Sequence, residues 1–315
     1  MKHILSISLG SSRRDKSVQK EILGEQFLIE RRGTDGDLKR FGQYLIENDG
    51  KVDYLCVGGT NLGLHWAGRF YGFRDIERIV RHIKQTPVVD GAGLKNSLER
   101  ETIQMLQNQG IVDFTTANIL ITCATDRFGM TEAICELSSN YILGDLMFNV
   151  GIPIPLHSTR SVDILAPLLL PILRRIPFRW LYPTGSKQDN VRPKYQHYYH
   201  WADVIAGDFL IIGQYLPARL PGKIIITNTT TQDDVEALRS RGVHLLITTT
   251  PVIEGRSFAT NVMEGVFLSL MGKQPGQASA TDYLEMARRI GWQPEIRELN
   301  PPTVLSPSEG RSDSD

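Results

Sequence analysis

The sequence predicts an α/β protein with two mainly parallel sheets, and three observations carry that prediction. Short apolar runs of strand length alternate with stretches whose apolar residues recur every three or four positions. The strand-like runs end in short loops rich in glycine, serine, threonine and aspartate, as strand-to-helix turns do. The alternation is interrupted near Gly110 and then starts again at Ile119, which divides the chain into two units.

The elements follow in order. His3–Leu9 (HILSISL) reads as a buried strand and Phe27–Glu30 as a second. Leu38, Phe41 and Leu45 mark one helical face, and Asp53–Val57 a third strand ending in Gly58-Gly59. Ile76, Ile79, Val80 and Ile83 give a second amphipathic helix, by their i, i+3, i+4, i+7 spacing. Pro87–Asp90 is a short strand that passes through Gly91-Ala92-Gly93 into a helix bearing Leu94, Leu98, Met105 and Leu106.

In the second unit Ile119–Cys123 is a strand, and the loop from Ala124 to Gly129 opens a helix with Met130, Ala133, Ile134 and Leu137 on one face. Tyr141–Asp145 is the next strand. Residues 150–200 read as irregular, because prolines interrupt a leucine-rich piece. Strands return at 203–209, 223–228 and 243–250, with a helix before the last that Thr231 and Asp234 can cap. A broadly apolar helix follows Thr260, and a short helix begins at Thr281. The expected division is an N-terminal α/β unit over 1–115, a second unit over 116–272 with the insert 150–200, a C-terminal helix within 273–300, and a disordered Ser- and Pro-rich tail over 301–315.

The chain has 315 residues, 41% hydrophobic and 22% charged, enough for a sizeable core. Lys+Arg and Asp+Glu balance at 35 each, which argues against a nucleic-acid coat. The three cysteines, Cys56, Cys123 and Cys135, share no disulfide or zinc spacing and read as buried thiols in a reducing cytoplasm. The first residues carry no signal-peptide pattern. The apolar run Ile164–Leu173 is about half the length of a bilayer span, so no transmembrane segment is expected. A homo-oligomer is left open.

The candidate chemistry lies in the loops after strands. ILITCATDRFGMTEAI is a strand, a tight loop and a helix start, which together present free backbone N–H groups and a helix dipole to an anion. Of the three glycines in G-x-G-x-x-G only the third is present, as Gly129; Ala124 and Asp126 stand in the first two places. Asp145 ends the next strand, where an acidic side chain can accept ribose hydroxyls. Ala124, Thr125, Asp126, Arg127, Gly129 and Asp145 are therefore the expected nucleotide-binding set, and the second unit is expected to be Rossmann-like. NAD is preferred over NADP, because Asp145 would repel a 2′-phosphate. In the DGAGLKN loop Asp90 and Lys95 form a candidate acid/base pair, and Ser8, Ser11 and Ser12 could bind a hydroxylated or anionic substrate. His197 and His200 lack a further metal ligand, so no metal site is expected.

The segments SLGSSRRD, GTDGDL, VVDGAGLKNSLER, TDRFGMTEAI and IIITNTTTQDDVE together resemble a bacterial family labelled quinate 5-dehydrogenase, itself distantly similar to the shikimate/quinate dehydrogenases. That resemblance implies a substrate domain followed by a Rossmann domain, a nicotinamide cofactor and a Lys–Asp pair. TDRFGM is similar to the segment that carries the family's catalytic aspartate, which would pair Asp126 with Lys95. The family's GxGGxxxA cofactor loop and its NVTxPxK segment are missing. The functional expectation is an NAD(P)-dependent oxidoreductase acting on a small polyhydroxylated or carboxylated substrate. The alternative is a nucleotide-binding sensor or scaffold without turnover.

Overall fold

The structure is a computed structural model that describes residues 1–66, 68–176, 194–250, 252–253, 256–257 and 259–301. It is a mixed α/β protein of two domains, each built on a parallel-rich sheet. The first sheet has the order β2-β3-β1-β4-β7, where β1 is Lys2–Ser8, β2 Lys16–Ile22, β3 Glu25–Gly33, β4 Tyr54–Gly58 and β7 Val88–Val89. Only β2 runs antiparallel. Between β4 and β7 lie a small hairpin, β5 (Gly63–Trp66) with β6 (Arg69–Gly72), and a short helix. The second sheet has the order β15-β12-β11-β10-β8-β9, with β8 Ile119–Ile121, β9 Tyr141–Leu143, β10 Val204–Ala206, β11 Ile224–Thr227, β12 Leu245–Thr248 and β15 Glu295–Glu298. Its one antiparallel strand is β15.

Strand side chains alternate between two faces, and both faces of each sheet are covered. In the first sheet Leu5, Ile7, Leu55 and Val57 pack on one side with Phe41 and Leu45 of the helix Leu38–Asn48. Ile4, Tyr54 and Cys56 pack on the other with Val262, Met263 and Val266. Those last three lie on the helix Thr260–Met271. The sequence division placed this helix in the second unit, yet its burial is against the first sheet, where Gly265 lets its backbone come close to Cys56. In the second sheet Ile119, Ile121 and Val204 face the same core as Leu5, while Leu120, Ile205, Ile225 and Leu246 face a third cluster.

Most expected elements form where the periodicity put them. The capping box of Thr231 and Asp234 opens the helix Gln232–Ser240. Several elements differ from expectation, among them the following. Strand β2 was unmarked, because in KSVQKEI only Val18 and Ile22 are apolar and five polar residues surround them on a sheet edge. Strand β15 lies within the C-terminal stretch expected to hold only a helix. The leucine-rich piece is a helix, Thr159–Leu173, that contains Pro167 and Pro171. It persists because Ser158 caps its start and tertiary packing of Val162, Ala166 and Leu170 outweighs the lost backbone bonds. The remainder of the insert, 177–193, and the tail beyond 301 lie outside the described residues.

Candidate functional site

Three loops at the C-terminal ends of strands converge between the domains. The first follows β4 and carries Asn61. The second follows β7 and carries Asp90, then enters the helix α3, Ala92–Asn108, whose first turn presents Lys95. The third follows β8 and carries Thr125 and Asp126, ahead of the helix α4, Phe128–Leu137. The approach of α3 to α4 is set by Gly129, where a Cβ would stand 2.5 Å from the Lys95 carbonyl oxygen and 2.8 Å from the Asn96 Cα.

Lys95 Nζ donates to Asp126 Oδ1 at 2.9 Å and to Asn61 Oδ1 at 2.8 Å, and Asn61 Nδ2 donates to the same Asp126 oxygen. Burial disfavours the Lys95 ammonium, but the Asp126 carboxylate more than offsets this and holds the pKa above its ordinary value. Burial likewise disfavours the Asp126 carboxylate, and Lys95 and Arg127 overcome it, so that pKa falls below the usual range. Both groups are therefore charged at neutral pH. Asp90 is committed to backbone amides, accepting from Leu62 N of the first loop at 2.8 Å and from Ala92 N of its own at 3.1 Å. Around this network lies a crevice of about 380 Å³, lined by His65, Asp90, Lys95, Asn96, Asp126 and Phe128 among others. Burial and the Lys95 charge lower the His65 pKa, so its ring is neutral.

Four of the residues singled out in the sequence, Asp90, Lys95, Thr125 and Asp126, thus meet in one crevice. The carboxylate bonded to Lys95 is that of Asp126, not Asp90. Ser8, Ser11 and Ser12 are engaged elsewhere. Ser8 Oγ accepts from Gly10 N and from Arg31, Ser11 Oγ accepts from Arg13 N, and Ser12 N donates to Asp35. Asn61, His65, Asn96 and Phe128 escaped sequence reading. Asn61 carried a usable signal, since GGTN follows a strand as DGAG and CATD do.

The expected pyrophosphate cradle is closed from within. Asp145 Oδ2 accepts from Ala124 N at 2.8 Å, and its Oδ1 accepts from Thr125 N at 3.0 Å and Thr125 Oγ1 at 2.6 Å. The loop amides that would face an anion are bound to a buried carboxylate. Arg127 is no counter-ion for phosphate either: it is buried in ion pairs with Glu99, Asp126 and Asp208. Among the described residues no group of three His, Cys, Asp or Glu side chains could hold a metal ion. No helix among them is long and apolar enough to cross a membrane.

Residues 93–299 match a family model described as Domain of unknown function (DUF8754). The chain belongs to this family. Residues 3–90 match a second, Domain of unknown function (DUF8753). No curated protein matches. Among solved structures, the chain is similar at 9% identity to GanP, a glucose-galactose binding protein from Geobacillus stearothermophilus, over 95% of this chain and 97% of that one, with a TM-score of 0.38. It is similar at 11% identity to the periplasmic binding protein component of the arabinose ABC transporter from Shewanella sp. ANA-3, over 91% and 95% of the two chains, with a TM-score of 0.37.

These findings correct the expectations drawn from the dehydrogenase resemblance. The two family models that match carry no dehydrogenase description, and the loop amides that a nucleotide would need are taken by Asp145. The NAD(P) oxidoreductase reading and the NAD cofactor are accordingly set aside, and the cytoplasmic location is not carried forward. The Asp145 contacts supply the physical reason for the cofactor.

Proposed function

We propose that this chain binds a neutral, polyhydroxylated small molecule of sugar-like chemistry in the crevice between its domains, without turning it over. The observation that carries this is the Lys95–Asp126–Asn61 network. It sets a buried cation, a carboxylate and an amide side by side, and each hydroxyl of a polyol can both donate and accept. Phe128 and His65 give the crevice a ring-bearing wall for the apolar face of such a ligand. The charge balance selects against anions, since Lys95 faces two carboxylates, Asp90 and Asp126, and His65 is neutral.

The order of the second sheet supports a doubly wound α/β domain of flavodoxin-like strand order. Numbered within the domain, its strands run 2-1-3-4-5 with an antiparallel sixth, and sheets of that order bind ligands beyond the strand ends at the point where the order reverses. Here that point lies between β8 and β10, and the Asp126 loop leaves β8.

The test is titration calorimetry of the full chain with neutral hexoses, pentoses and cyclic polyols, beside their phosphorylated and carboxylated forms. A neutral member should bind, Lys95→Met and Asn61→Ala should each weaken it about tenfold or more, and the ligand should be recovered unchanged. Tighter binding of the anionic forms, or full affinity in Lys95→Met, overturns the reading.

A further inference from the structure

A second cavity lies behind the same loop and is of opposite character. The space it encloses, together with the solvent it opens onto, is about 600 Å³. Its walls are apolar and mostly aliphatic. Val162, Ala166 and Leu170 come from the inner face of the helix Thr159–Leu173, and Leu64, Phe73 and Leu146 close the other sides. Only Thr125, Asp145 and Asn149 bring polar atoms to it. Thr125 and Asp145 are bonded to each other. Asn149 is different: its Oδ1 is buried and, among the described residues, has no hydrogen-bond partner. A buried acceptor left unpaired costs free energy that a partner would recover. Asn149 sits on the single π-helical turn Leu146–Val150, a local distortion frequent at functional sites.

We infer that this cavity binds a neutral, mainly apolar small molecule whose one hydrogen-bond donor meets Asn149 Oδ1. The apolar body follows from the apolar walls. The donor follows from the unpaired acceptor. Neutrality follows from Asp145, which would repel an anionic head group and whose own bonds leave it no place for a cation. The site is independent of the crevice that holds Lys95, and the two share only Thr125.

The probe is N-phenyl-1-naphthylamine, which is neutral, carries one N–H, and brightens in apolar surroundings. The full chain should give a saturable rise in emission at one equivalent. Ala166→Trp and Val162→Phe, each checked for folding by circular dichroism, fill the cavity and should weaken the probe at least tenfold. Asn149→Leu should weaken it about three- to tenfold. Leu168→Gln, on the exposed outer face of the same helix, should leave it unchanged. With the unaltered chain, 1-decanol should displace the probe and decanoate should do so at least tenfold less well. The inference is overturned by a non-saturable rise, by unchanged affinity in both filled variants, by loss confined to Leu168→Gln, or by decanoate competing as well as decanol.

Discussion

Asp145 shows how one side chain decides what a loop can do. It binds two backbone N–H groups and a hydroxyl of the loop after β8, although burial raises its own pKa. Asp145→Ala would leave the buried amides of Ala124 and Thr125 without partners, and should cost about 1–3 kcal/mol of stability, read as a lower urea midpoint. Gly129→Ala should cost a similar amount or more, because the added Cβ would meet backbone of α3 and nothing there is flexible enough to give way. The sequence marks Asp145 as a carboxylate at a strand end. Whether it faces a ligand or folds back onto its neighbour loop depends on the π-helical turn that follows, which local propensity does not encode. Lys95 and Asp126 were each visible as loop residues. Their pairing across two domains is a long-range outcome that no local pattern encodes.

At the scale of elements, the helix Thr260–Met271 both covers the first sheet and caps α3. Glu264 accepts from Gly91 N at 2.7 Å and Gly93 N at 2.8 Å, and also from Tyr283 Oη. Burial, with the nearby Asp90 charge, pushes its pKa up to about 7. The protonated form is therefore favoured in the folded state, so this stabilising contribution is full below the ordinary carboxylate pKa and is lost as the pH rises toward 7. Chemical denaturation at pH 5 and pH 8 should show the loss, on the order of 1–3 kcal/mol, and Glu264→Gln should flatten it. Equal pH slopes for the two proteins would disprove it. Amphipathic elements such as this one were legible from their periodicity. The β5–β6 hairpin was not, since its strands are four residues each, too short to show a period.

The two domains are joined by charge as well as by apolar packing. Arg127, in the loop before α4, pairs with Glu99 of α3 and with Asp208 beyond β10, and burial of the guanidinium is outweighed by these carboxylates, which raise its pKa. Removing it strands two carboxylates in the interior. Arg127→Met should cost about 3–5 kcal/mol, and Arg127→Lys should recover part of that, since one ammonium cannot span both partners. Thermal unfolding of the two variants checks this, and a Tm unchanged in Arg127→Met would show that the bridge contributes nothing. The alternation of strands and helices made the two-domain plan legible, but not which domain the C-terminal third of the chain would serve.

That third of the chain shapes how the protein is made. The face of the first sheet that carries Ile4 and Cys56 is covered by residues 260–271, and the edge of the second sheet is completed by residues 295–298. A ribosome that has released only the first 115 residues holds a sheet with one naked apolar side. It stays so until more than twice that length has emerged. The nascent N-terminal domain is thus a natural client for chaperones that shield exposed strands, and a truncated transcript ending before Thr260 would yield an aggregating fragment, not a half-sized protein.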